Sequence, residues 1–267
     1  MFWTRLVSGI VLVAAALLTI NAGGAVLCAT LLAVSVIGMS ELYRVANVED
    51  RQWSPMAITG YAGAAVYYIL MYAGLDSYLE LAGIGILIAL MCVYVFTFPR
   101  YLSGQTMAAF FGVIYVAVML SCIFRTRMLD HGQVTVWLIF LSSWGCDTCA
   151  YCVGMLLGKH KMAPVLSPKK SVEGAVGGVA GAALLGAVYA GVTGHFTGRY
   201  PIAQYMIICA AGALISMVGD LAASAIKRNH DVKDYGKLIP GHGGILDRFD
   251  SVIFTSPVIF FLAKLLL

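Results

Sequence analysis

Charge is what this sequence has least of: only 11 % of its 267 residues are Asp, Glu, Lys or Arg. Apolar residues make up 61 %, and mean hydropathy is +0.89. Soluble domains are nearer half apolar, so these values exclude a soluble globule. The net charge of +4 is modest, and no nucleic-acid partner is expected. Cysteine is present but offers no framework. Cys28, Cys92, Cys146, Cys149, Cys152 and Cys209 lie inside apolar runs and Cys122 at the end of one, the usage of a small hydrophobe rather than of disulfides. Cys146, Cys149 and Cys152 recur every third residue on an apolar helix, so they do not converge, and no His is near in sequence to complete a zinc site. A cleavage site is also lacking. The first apolar run follows Arg5 alone and reads as a retained span, not a signal peptide.

What is abundant is apolar runs of the roughly 20 residues that a bilayer span needs. Nine are expected, near 5–21, 23–40, 56–74, 78–98, 105–123, 133–157, 172–194, 202–224 and 250–266. The expected fold is all-α, a polytopic integral membrane helix bundle forming one domain over 1–267. Residues 1–130 supply N-terminal membrane helices, and 131–267 supply catalytic helices with their motif loops. With nine spans, 13 of the 17 Lys and Arg residues fall on one side. The positive-inside rule makes that side cytoplasmic, together with the N-terminus. In the seventh span Gly174/Gly178 and Gly177/Gly181 form small-xxx-small pairs suited to close helix packing.

Polar chemistry is concentrated in one 27-residue stretch, Ser224 to Asp250. It holds nine charged residues, with His230 or His242 a tenth when protonated. Across its start, Ser216, Asp220, Ser224 and Lys227 form one stripe of a helix. A carboxylate at membrane depth is costly unless paired, so Asp220 is a candidate site residue or half of an ion pair with Lys227 or another base. Asp247 and Asp250 share a helix face. They suit a hard cation such as Mg2+, or complement a helix dipole. The turn Gly241-His242-Gly243-Gly244 exposes backbone N–H groups just before a helix, as phosphate binding requires. The same residues also make an ordinary turn. A second polar island, Ser167-Pro168-Lys169-Lys170-Ser171-Val172-Glu173-Gly174, suits a polyphosphate or, equally, a basic anchor followed by a helix cap at Ser171. Asp147, inside an apolar span, should face the bundle interior and have a partner, whether for function or for a structural hydrogen bond.

Ser224, Ile226, Lys227, Arg228, Lys233, Asp234, Gly236, Ile239, Pro240, His242, Gly243, Gly244, Ile245, Asp247, Arg248, Phe249 and Asp250 closely resemble, without a gap, the C-terminal pattern of the phosphatidate cytidylyltransferases, or CDP-diacylglycerol synthases. Trp144, Asp147, Ala150-Tyr151, Gly154, Gly158-Lys159, Pro164 and Ser167 to Gly174 agree upstream. Cys149 and Val172 are mild departures, standing where a small residue and an aromatic are common. The motifs cover 144–250, and the N-terminal half is similar only in hydropathy. The resemblance implies that CTP and phosphatidate give CDP-diacylglycerol and pyrophosphate, in a bacterial inner membrane. It implies Mg2+ held by Asp220 and Asp247, and leaves open a monovalent ion such as K+ at the same centre, and a homodimer. Asp220, Lys227, Lys233, Asp234, His242, Asp247, Arg248 and Asp250 are the expected catalytic set. Asp147, Ser167, Lys169, Lys170, Ser171, Glu173, Ser224, Arg228, Gly243 and Gly244 are the expected substrate contacts. The alternatives are a CTP-dependent enzyme for an ether lipid or polyprenol, and an ion-coupled transporter with Asp147 and Asp220 on its path.

Overall fold

The computed structural model describes residues 2–48, 54–198, 201–241 and 243–267. Expectations resting on His242 lie outside the described residues. Nine helical segments appear among those described, at the expected places: α1 (Phe2–Ala22), α2 (Gly24–Val45), α3 (Pro55–Tyr72), α4 (Leu79–Phe96), α5 (Ser103–Arg127), α6 (Gly132–Leu157), α7 (Val172–Thr197), α8 (Ile202–Asn229) and α9 (Leu246–Leu266). Seven of the described helices are long and apolar enough to cross a membrane, which makes this a multi-pass membrane protein. Helix α3 is not among the seven, since its four tyrosines dilute an otherwise apolar run. Helix ends run past expectation at α2 and on both sides of the polar stretch. Helix α8 runs on through Lys227 and Arg228, and α9 begins at Leu246, so the connecting loop is shorter than the polar sequence suggests. The only strands among the described residues form a small antiparallel hairpin, β1 (Lys161–Ala163) with β2 (Ser167–Ser171), in register Lys161 to Ser171.

The chain forms two compact units, one of Met1–Phe124 with His230–Arg248, the other of Arg125–Asn229 with Phe249–Leu267. In the first unit, Leu27, Met39, Tyr43, Met56, Tyr68 and Leu90 are fully buried. Lipid offers the helices no hydrophobic incentive to associate, so packing and hydrogen bonds hold them together. The Tyr43 hydroxyl donates to the Ala109 carbonyl at 2.6 Å, and Tyr68 pairs with Ser35 at 3.0 Å.

In the second unit, α6 and α7 approach through small residues. A Cβ on Gly177 would strike Val153, one on Gly178 would strike Cys146 and Ala150, and one on Gly181 would strike Cys149. The expected small-residue stripe is therefore the α6–α7 contact, and Cys146 and Cys149 serve it as packing groups.

Candidate active site

In the first unit, the polar loop is shaped by two carboxylates. The chain reverses through Pro240 and Gly241, and the Ile239 N–H donates to the Gly243 carbonyl at 2.8 Å. Gly241 and Gly243 carry φ of 79° and 88°, the left-handed region that a side chain disfavours. Beyond the turn, Asp247 Oδ2 accepts the Gly244 N–H at 3.0 Å and, from across the loop, the Tyr235 N–H at 2.8 Å. Glu41 of α2 accepts the N–H groups of Ile245 and Leu246 at 3.0 and 2.8 Å, capping the start of α9 with a residue from another helix. Both acids are nearly inaccessible, Glu41 1 % and Asp247 4 % exposed. A Cβ on Gly236 or Gly244 would run into the Glu41 carboxylate, so both glycines are needed for this close approach.

Those anchors leave the bases facing outward. Lys233, Lys237 and Arg248, with Asp234, are exposed and line a cavity of about 530 Å³ that Ile239, Pro240 and Gly243 complete. Three bases against one acid around a glycine turn have the charge and donors that suit an anion with several oxygens.

The second unit gathers the other expected residues. Asp220, half-buried on α8, pairs with Lys170 of β2 and accepts the Ser224 hydroxyl at 3.5 Å. Asp250 lies within electrostatic reach of Asp220, Asp147 and Lys227. The Ser251 hydroxyl contacts both Asp147, at 3.5 Å, and Asp250, at 3.3 Å. Asp147 does have a partner, and its side chain stays exposed. A π-helical turn at Leu141–Gly145, just before it, shifts the register of the following face. Ser171 caps α7 by accepting the Gly174 N–H at 3.1 Å. Glu173 binds the backbone N–H groups of Lys159 and His160 and the His160 ring, which pins the hairpin to the start of α7. Ser167, Lys169 and Arg228 stand apart from this network, Lys169 and Arg228 exposed.

The second unit's donors suit Mg2+ in kind, being carboxylate and hydroxyl oxygens without thiolate or imidazole. Among the described residues no three His, Cys, Asp or Glu side chains form a ready ligand cage.

A family model described as "Cytidylyltransferase family" matches residues 3–266. The chain belongs to the cytidylyltransferase family. It is 32 % identical to the phosphatidate cytidylyltransferase of Bacillus subtilis over 248 residues, 87 % of each chain. It is 36 % identical to that of Thermotoga maritima over 61 % of each. To that of Synechocystis it is 29 % identical over 98 % of this chain and 97 % of the other. Family membership thus extends through α1 to α5, beyond the motif region and beyond shared hydropathy. It takes in Glu41, which motif reading passed over. The signal present was an acid in the last turns of an apolar helix, a costly place for a carboxylate and so a mark of a functional position. Ser251 and Tyr235 gave no comparable sign, because one contributes a common hydroxyl and the other a backbone amide.

Proposed function

We propose that this protein transfers CMP from CTP to phosphatidate, giving CDP-diacylglycerol and pyrophosphate. The observation that carries the reading is the basic cavity of Lys233, Lys237 and Arg248 at the glycine turn, in a membrane chain of this family. Phosphatidate ends in a phosphate monoester, which is already a nucleophile. One of its oxygens bonds to the α-phosphorus of CTP, the bond from that phosphorus to the β-bridging oxygen breaks, and pyrophosphate leaves with the electron pair. Such transfers depend on positioning and charge neutralisation more than on covalent chemistry.

Lys227, Arg228, Lys233 and Arg248 offset phosphate charge, and Lys169 and Lys170 hold the triphosphate. Asp220 and Asp247 are the proposed ligands of Mg2+, which when bound supplies charge neutralisation at the reacting phosphates. Ser224 orients Asp220, and the amides of Gly244 and Tyr235 orient Asp247. The proposed orientation puts the N-terminus and both basic loops in the cytoplasm, where CTP is, and rests on the unequal sharing of Lys and Arg.

The test is CMP transfer from CTP labelled at the α-phosphate to phosphatidate, by purified protein in detergent, with Mg2+ or with EDTA. Labelled lipid and released pyrophosphate, abolished by EDTA, are expected. Folded protein that labels no lipid would overturn the reading. Label on an ether lipid or polyprenol acceptor alone would overturn the choice of substrate.

A further inference from the structure

The basic cavity of the first unit has an apolar neighbour. A groove of about 590 Å³ runs between Val7, Val11 and Leu12 of α1 and the segment Leu238–Pro240. Ile239 and Pro240 line both spaces, so the apolar groove and the basic cavity share a wall. Ser8, which also lines the groove, donates its hydroxyl to the Pro240 carbonyl at 3.2 Å, tying α1 to the loop. Leu238 is 58 % exposed although it follows Lys237 in a strongly charged loop, and Val7 and Val11 are 57 % and 59 % exposed.

We infer that the groove between α1 and Leu238–Pro240 holds an acyl chain of the lipid substrate while its phosphate occupies the basic cavity. The inference rests on the phosphatidate reading and adds where that lipid sits. The argument is complementarity. A nucleotide would use the bases of Lys233, Lys237 and Arg248 and leave the apolar groove empty. A zwitterionic bilayer lipid would use the groove and gain little from the bases. An anionic phosphate monoester joined to hydrocarbon satisfies both across the Ile239–Pro240 wall. The Ser8 tie matters because an acyl chain gains affinity from a preformed groove and loses it to one that must be ordered first.

Val11→Trp fills the groove. Its KM for dioleoyl phosphatidate should rise about tenfold, the equivalent of roughly two methylene groups losing their shelter. Its KM for dihexanoyl phosphatidate should rise far less. Val13→Trp, on the opposite face of α1, should change neither. An equal rise for both chain lengths, or for neither, overturns the inference.

Wild-type protein gives a second measurement that does not depend on a variant folding. Phosphatidate carrying a diazirine on one acyl chain should label residues 7–12 or 238–240, and unlabelled phosphatidate should compete where phosphatidylcholine does not. Labelling elsewhere overturns the groove. Equal competition by phosphatidylcholine also overturns it, and makes the occupant an ambient bilayer lipid. Wild-type protein that transfers no CMP to phosphatidate overturns the reading of the reaction itself. Protein that transfers CMP while its label falls elsewhere overturns the groove alone.

Discussion

The carboxylate of Glu41 accepts the backbone N–H of Leu246 at 2.8 Å, across 205 residues of chain. Together with the bond from Ile245, it satisfies two of the donors that the start of α9 would otherwise leave without partners. Its charge also faces the positive end of the helix dipole. Because Asp247 is the second residue of α9, the position of this metal-ligand candidate follows from where Glu41 holds the helix start. Glu41→Ala removes both acceptors from a fully buried place. The expected cost is about 2–4 kcal/mol of stability, at about 1–3 kcal/mol for each orphaned donor with partial relaxation. Thermal unfolding in detergent checks this. CMP transfer should fall more in Glu41→Ala than in Glu41→Gln, which keeps one acceptor oxygen.

Asp247 has two duties that one substitution separates. Its Oδ2 holds the amides of Gly244 and Tyr235, which an Asn carbonyl can also accept. The charge is needed only for a cation. Asp247→Asn should therefore fold with an unfolding midpoint close to that of the parent and lose at least about a hundredfold in turnover, the scale seen when an electrostatic contributor to a transition state is removed. Mg2+ titration of the residual activity reads the assignment directly. Turnover near the parent's value would return Asp247 to a structural role.

Much of this architecture was legible because bilayer physics is strict. Long apolar runs announce themselves, and α4 and α6 stand where hydropathy put them. The motif residues 224–250 were equally legible, since charge gathered so densely in so apolar a chain serves little purpose in folding alone. The way the site is held was less legible. Glu41 reaches its partners only after α2 and the start of α9 pack together, and no local spacing encodes a contact so distant in sequence. The exposure of Asp147 was missed for a different reason. The cost of a carboxylate in an apolar span pointed to the bundle interior, and here the carboxylate meets Ser251 while staying accessible.

Lys169 and Lys170 are neighbours in sequence with different surroundings. Lys170 is half-buried and paired with Asp220, whereas Lys169 is exposed. Removing one member of a partly buried ion pair leaves the other charge uncompensated, which costs far more than losing a solvated charge. Lys170→Ala should lower kcat by more than about tenfold and shift the Mg2+ requirement, because Asp220 loses its counter-ion. Lys169→Ala should raise the KM for CTP about three- to tenfold with kcat held, the effect of a contact made alike in ground and transition states. Steady-state kinetics on both variants decide the matter. An unchanged KM in Lys169→Ala would return that lysine to a membrane-facing anchor.

Glu173 was expected among the substrate contacts, and its geometry gives it a prior commitment. Its carboxylate accepts the N–H groups of Lys159 and His160 at 3.1 and 3.2 Å and meets the His160 ring at 2.5 Å. The Val172 N–H returns a bond to the His160 carbonyl at 2.9 Å, so the base of the hairpin is closed from both sides. Lys159, Lys161, Lys169 and Lys170 all ride on this segment. Without Glu173 the hairpin should open locally at low cost, as a segment does when few buried contacts hold it. In Glu173→Ala, trypsin should cut after Lys159 and Lys161 several times faster than in the parent, while global unfolding moves by less than about 1 kcal/mol. A higher KM for CTP should accompany the faster cutting, and CTP should protect the parent more than the variant. Unaltered proteolysis together with a raised KM would instead make Glu173 a direct substrate contact.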